Sequence, residues 1–282
     1  MSVDVHGGTN KSLSICALGS LYAGEDPNYL ELALDSLRAQ SLQLPIIMVI
    51  DGPLTPDLEE VLTRNADLEI SFVRLGDNVG LGPALNAGLR VAERKYEYAI
   101  RFDTDDINRA DRFEIIHNVL ANNPVDLVSS HMREIDEAGT VKSHRYVPLN
   151  HEKIASQLVY RSSINHPASA FKISACMGAG GYKNMPFLED WYLWLRMNNS
   201  GCKMMNISEH LVDYRLTNDA IKRRYGLGYA KCEIRFFWAR WTEGLVSFSP
   251  NFLALTVRLL SKVFGALVFS VFFKAARRVF KY

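Results

Sequence analysis

The chain has 282 residues, enough to bury a sizeable core as one large domain or as one domain with an appendage. Its formal charge of +1 at pH 7 argues against nucleic acid as the principal partner. Cys16, Cys176, Cys202 and Cys232 have no CxxC or zinc-site spacing, which favours buried thiols in a reducing compartment over disulfides.

The first half of the chain alternates in period. Leu13–Gly19 is apolar and strand-like, and Tyr29–Gln40 places Leu30, Leu34 and Leu37 at helical spacing. Ile46–Ile50 is a continuous apolar run ending at Asp51-Gly52-Pro53; Leu58–Arg64 reads as a short helix and Ile70–Leu75 as a strand. Pro83–Arg94 is helical, Tyr98–Phe102 is a strand, Arg112–Ala121 is helical and Asp126–Ser130 is a strand. Short apolar strands alternating with helices define an α/β fold whose largely parallel sheet is covered on both faces. Right-handed crossovers then bring the residues after two of these strands, Asp51 and Asp103, to one sheet edge.

The strand Tyr98–Phe102 runs into three carboxylates, Asp103, Asp105 and Asp106. Two readings of them compete. Carboxylates one residue apart at the ligand-binding end of a strand suit a hard divalent cation that carries phosphates. The same residues also suit a solvated Asx-type turn before the next helix. Asn78–Gly82 likewise reads as turn and helix-start chemistry, or as a weak phosphate cradle without the GxxxxGK[ST] pattern.

Past residue 130 the pattern changes. Arg133–Val147 reads as a hairpin turning at Asp136–Gly139, and His151–Tyr160 as a helix. Asn165-His166-Pro167 is a turn before the strand-like Ala168–Ile173, and Gly178–Tyr182 is a loop. Phe187–Asn198 is a helix with Glu189 and Asp190 in or before its first turn, where acids also favour the helix dipole. The apolar residues after Asp190 read as core, and His166 as a packing residue or an acceptor contact.

The start MSVDVHGGTNK lacks a basic segment followed by an apolar one, so the catalytic part is expected in the cytoplasm. After Glu243 there is no acidic residue, while Arg258, Lys262, Lys274, Arg277, Arg278 and Lys281 are basic. Val263–Phe273 is shorter than the roughly 20 apolar residues a spanning helix needs. A helix lying at a membrane surface is expected there, the alternative being a helix packed on protein.

Several segments together resemble the family-2 glycosyltransferases with the GT-A fold, in particular the bacterial cell-surface polysaccharide branch that includes amylovoran biosynthesis transferases. They are SLYAGEDPNYLELALDSLRAQSL (20–42), VIDGPLT (49–55), NVGLGPALNAGL (78–89), RFDTDDINRADRF (101–113), NHPASAFKIS (165–174), GGYKNMPFLEDWYLWLRM (180–197) and Tyr214-Arg215. The resemblance covers about residues 12–225, in order. It implies a GT-A domain over 1–225 and a helical C-terminal segment over 226–282, membrane-interfacial in character.

At matching positions the resemblance implies that Ser20, Tyr22 and Asp51 hold the nucleobase and ribose, with Asn78 on the nucleotide-sugar side. Asp103 and Asp105 match the Asp-x-Asp that contacts ribose and a Mg²⁺ or Mn²⁺ on the diphosphate. Asp190, with Glu189 as the alternative, matches the catalytic base. The implied reaction is inverting transfer of one sugar from a nucleotide-sugar, UDP-sugar favoured, to a saccharide acceptor on a polyprenyl diphosphate lipid. The implied location is the inner face of a bacterial plasma membrane.

This chain departs from the family pattern in two places. One acid, Asp51, stands where many members have two, and Leu216–Asp219 replaces a frequent metal-binding His. Water and phosphates, or Asp219, then complete the metal; Arg223 and Arg224 are candidates for added charge on the diphosphate. The QxxRW motif of processive synthases is missing, which favours single addition. The competing functions are a sugar-nucleotide-forming nucleotidyltransferase and a non-catalytic sugar-nucleotide-binding or assembly subunit. A haloacid-dehalogenase-type phosphatase would need DxDx[TV], which Asp103–Ile107 does not supply.

Overall fold

The structure, a computed structural model, describes residues 13–217 and 226–263. Asp219, Arg223, Arg224 and most of the apolar run 263–273 lie outside these residues. The elements follow in order β1 (Ile15–Leu21), α1 (Pro27–Arg38), β2 (Ile46–Ile50), α2 (Pro56–Arg64), β3 (Ile70–Arg74), α3 (Leu81–Ala92), β4 (Tyr98–Arg101), β5 (Ile107–Asn108) and α4 (Arg112–Asn122). Then come β6 (Leu127–Ile135), β7 (Val141–Arg145), α5 (His151–Leu158), a 3₁₀ turn (His166–Ala168), β8 (Ala170–Lys172) and α6 (Ile173–Gly178). The last are α7 (Glu189–Asn199), β9 (Met204–Arg215), α8 (Gly226–Thr242) and α9 (Phe248–Val263).

Among the described residues the strands form one sheet, ordered β3-β2-β1-β4-β8-β6-β9-β5, with β7 paired to β6. β3, β2, β1 and β4 are mutually parallel, as short apolar strands joined by helical crossovers require. β8 joins this block to β6 by antiparallel pairing on both sides, and β9 runs parallel to β6.

Alternation along the strands builds two cores. Cys16, Leu18, Ile47 and Val49 face one side, where α3, α5 and α7 pack, together with Trp194. Ile15, Ala17, Met48 and Ile50 face the other, with Leu34 and Leu37 of α1 and Phe113 and Ile116 of α4. Gly88 lets α3 approach closely, since a Cβ there would lie 2.6 Å from Leu18 Cδ1 and 2.8 Å from Val49 Cγ2. Phe236, Phe237, Val246 and Ala254 join the α7-side core, so α8 and α9 are packed on the α/β unit through one face. Arg240 lies 3.8 Å over the Phe237 ring, and Arg258 pairs with Glu233 at 2.5 Å.

Among the boundaries that differ from the sequence reading, the starts of α3 and α7 have local reasons. α3 begins at Leu81, ahead of Pro83, because proline is tolerated in a first turn whose N–H groups lack intrahelical partners. α7 begins at Glu189, after Phe187, because Phe187 adopts a left-handed φ of 68°.

Candidate active site

β1, β2 and β4 end at one edge of the sheet. Leu21 pairs with Ile50, Asp51 N–H donates to Leu21 O at 2.8 Å, and Phe102 N–H donates to Leu18 O at 3.1 Å. Asp51 and the carboxylates after Phe102 therefore emerge together, and Thr104 Oγ1 donates to Ser20 O at 3.4 Å across the gap.

Asp51 is buried, and its carboxylate organises the next loop. Oδ1 accepts from Val79 N–H at 2.7 Å and Oδ2 from Gly80 N–H at 3.0 Å, so the side chain just past β2 caps α3, whose own N-cap is a glycine. Asn78 Nδ2 donates to Asp51 O at 3.2 Å. Gly52 permits this approach with φ of 87°; a Cβ there would lie 2.7 Å from Asn78 N. Tyr22 follows β1, its ring close against Gly24. Ser20, Tyr22, Asp51 and Asn78 thus border one end of the edge.

The three carboxylates after β4 divide by role. Asp106 is buried, accepts Arg215 N–H on Oδ1 at 2.8 Å, and belongs to the framework. Burial, with the charges of Asp105 and Asp103, holds it well above the usual carboxylate range. Asp103 and Asp105 are partly exposed. Burial and then the Asp103 charge push Asp105 up to about 6, a repulsion that a bound cation would relieve. The Asp105 carbonyl is held by Arg215 Nε at 3.0 Å, and the Arg215 guanidinium lies 4.2 Å over the Tyr29 ring. Two adjacent carboxylates suit Mg²⁺ or Mn²⁺ that keeps waters and phosphate oxygens in its shell. No cluster of three or more His, Cys, Asp or Glu suited to a metal occurs among the described residues.

Glu189 and Asp190 open α7 at the same edge. The Cβ position at Gly82, in the first turn of the helix that Asp51 caps, lies 3.7 Å from Glu189 Cβ. Burial, followed by the charge of Asp190, pushes Glu189 up to about 7. Its Oε2 is buried without a hydrogen-bond partner among the described residues.

Between the two acid groups stands Arg101, which sequence reasoning passed over. It is fully buried on β4, ion-pairs with Asp103, and its charge opposes the upward shifts of both Asp105 and Glu189. Its signal in the sequence was a lone cation inside the apolar run YAIRF. Its carbonyl accepts from Arg112 Nη2 at 2.6 Å; burial lowers Arg112 to about 9. His166 Nε2 and Tyr182 OH are 2.9 Å apart, which makes His166 part of the packing behind the pair. Burial, and then Arg101, hold His166 well below its usual range.

A parallel α/β half whose carboxyl edge carries Asp-x-Asp, facing a Glu-Asp pair on a later helix, is the arrangement of a GT-A glycosyltransferase. The family model for glycosyl transferase family 2 matches residues 22–176, and the chain belongs to that family. It is 33% identical to the UDP-Gal:alpha-D-GlcNAc-diphosphoundecaprenol beta-1,3-galactosyltransferase of Escherichia coli, over 87% of this chain and 90% of that one. It is 31% identical to the amylovoran biosynthesis glycosyltransferase AmsE of Erwinia amylovora, over 92% and 97%. Among solved structures, Staphylococcus aureus TarS 1–349 in complex with UDP-GlcNAc superposes with TM-score 0.64 at 16% identity, covering 88% of this chain and 72% of that one. The mannosyltransferase PcManGT of Pyrobaculum calidifontis, in complex with GDP-Man and Mn²⁺, gives 0.57 at 17% identity, covering 100% and 84%.

Proposed function

We propose that this glycosyltransferase moves a single sugar, with inversion, from a UDP-sugar to a saccharide carried on a polyprenyl diphosphate lipid, in bacterial surface polysaccharide biosynthesis. The observation that supports the reading is that the buried Arg101, ion-paired with Asp103, acts by its charge on both Asp105 after β4 and Glu189 at the start of α7. The donor and acceptor classes are supported by the E. coli relative's name, and the setting by that of the AmsE relative.

Asp105 and Asp103 are the residues that would hold a divalent cation, which when bound supplies Lewis-acid stabilisation of the charge developing on the leaving diphosphate. Asp51 contributes by fixing the Asn78–Gly80 loop that borders the nucleoside end. Asp190, with Glu189 beside it, takes the proton from the acceptor hydroxyl. The new carbon–oxygen bond forms on the face opposite the breaking bond to the diphosphate, and the bonding electrons leave with the nucleotide. A single displacement of this kind inverts the anomeric centre. Positioned general-base assistance contributes about 10²–10⁴-fold.

A membrane surface is the proposed platform for the lipid-linked acceptor, and no described helix is long and apolar enough to cross a bilayer. The outer face of α8 and α9 carries a continuous run of exposed rings. Trp238 and Trp241 centroids are 5.1 Å apart, Trp241 and Phe248 5.3 Å, and Phe248 and Phe252 5.8 Å. Tryptophan suits the interfacial zone, and the exclusively basic sequence beyond Glu243 suits anionic headgroups. Contact on the cytoplasmic leaflet fits both features.

The test is release of nucleotide from UDP-, GDP- and dTDP-sugars, without acceptor, with and without Mg²⁺ or Mn²⁺. Metal-dependent release from a UDP-sugar is expected. Binding without any release would point to an assembly subunit. Formation of pyrophosphate from a nucleoside triphosphate and a sugar 1-phosphate would point to a nucleotidyltransferase.

A further inference from the structure

The aromatic residues around Glu189 and Asp190 fall into two groups. Trp191, Tyr192 and Trp194, which follow the pair on α7, are buried in the core. Phe187, which precedes it, is 46% exposed and is the non-glycine residue with a positive φ, 68°, among the described residues. That backbone region crowds the Cβ of an L residue and is natural to glycine or asparagine. Its exposure is shared with other large apolar residues, Phe72 and Phe252 among them, so the backbone is what sets it apart. The ring meets Tyr229 of α8 with centroids 5.4 Å apart and planes at 48°. A residue held in a disfavoured backbone conformation two positions before the Glu-Asp pair points to function.

Its position says which function. Phe187 is two residues from Glu189, so their Cα atoms lie within about 7 Å. A base must come within about 2.6–3.2 Å of the hydroxyl it deprotonates, so the space beside Phe187 is the space of the acceptor sugar. The loop that carries the ring is also tied to the residue that follows α8, by Lys183 Nζ to Glu243 Oε1 at 2.9 Å, so the ring is presented from a braced segment.

We propose that Phe187, backed by Tyr229, is the acceptor-binding platform: its open face stacks on the apolar C–H face of the acceptor's terminal pyranose while the Glu-Asp pair receives the hydroxyl proton. The negative face of the ring attracts the slightly positive C–H groups, and stacking removes water from both surfaces. The proposal rests on the transferase reading above.

The test compares the full chain with Phe187→Gly and Phe187→Trp. UDP-galactose serves as donor, and GlcNAc α-linked to a diphosphate on a short alkyl chain as acceptor. Phe187→Gly should raise the acceptor KM about tenfold and leave acceptor-free hydrolysis of the donor within about twofold. Its melting temperature should be no lower than that of the unaltered chain, because glycine relieves the left-handed backbone. Phe187→Trp should keep the acceptor KM within about threefold, since an aromatic face remains. An unchanged acceptor KM in Phe187→Gly overturns the platform, as does a parallel loss of donor hydrolysis, which would mark a structural role. Weaker sedimentation with anionic vesicles at unchanged KM assigns the ring to lipid and overturns it too. If the unaltered chain releases no nucleotide from any sugar nucleotide, the transferase reading itself fails, and the platform with it.

Discussion

Glu189→Gln separates what the site costs the fold from what it does in catalysis. Burial and the neighbouring Asp190 raise the Glu189 carboxyl from 4.5 to about 7, so the folded protein keeps this proton to higher pH than the unfolded chain does. A group whose folded value is raised contributes stability in full below its unfolded value. That contribution is lost as pH rises through the folded one. The rise from 4.5 to about 7 corresponds to about 3 kcal/mol at pH 8, at roughly 1.4 kcal/mol for each tenfold change in proton affinity. Glutamine has nearly the shape of the neutral acid and carries no such penalty. Urea unfolding of the variant should show a gain of about 3 kcal/mol at pH 8 and under about 1 kcal/mol at pH 5, alongside reduced turnover. A gain of the same size at both pH values, or none at pH 8, would refute the claim that Glu189 is strained by its own charge.

Three further outcomes follow from named contacts. Asp105→Ala should abolish the Mg²⁺-dependent part of nucleotide binding, read by titration calorimetry with and without the ion; unchanged metal dependence removes Asp105 from the ligand set. Asp51→Ala takes away the acceptor of two backbone N–H groups at the start of α3, and should cost about 1–3 kcal/mol in urea unfolding together with weaker nucleotide binding. A stability equal to that of the unaltered chain would show the cap to be idle. Replacing Trp238 and Trp241 together by Ala should release the protein from anionic vesicles in a sedimentation assay, without changing acceptor-free hydrolysis. Undiminished sedimentation would place the membrane contact elsewhere.

The first half of the fold was legible because its signals are local. Continuous apolar runs mark β2 and β4, and Leu30, Leu34 and Leu37 mark α1; the caps Asp26 and Thr55, each followed by proline, went unread, so α1 and α2 were begun two residues late. The hairpin was legible through Asp136, whose side chain accepts from Ala138 and Thr140 N–H, and through Gly139 in the left-handed region. β9 was not, because its buried and exposed positions do not alternate and its long pairing with β6 is a tertiary fact. The two-residue β5 and the helix α6, which takes over from a strand of three residues, are too short for any period to show.

The site divides in the same way. Strand ends foretold that Asp51 and Asp103 would share an edge, whereas the standing of Glu189 and Asp190 came from resemblance to a family. Asp106 looked like a third site carboxylate in sequence; only packing reveals that it serves Arg215. Arg101 and the left-handed Phe187 were missed for a common reason. Each breaks a local rule, and a broken rule reads as noise until the neighbours are in place.

The most direct test of the central claim is Asp190→Asn, assayed for turnover and for binding of the sugar nucleotide in parallel. The expected result is that transfer falls by about 10²–10⁴-fold while the donor binds as before. Donor binding lost in step with transfer, or transfer that survives the change, would contradict it.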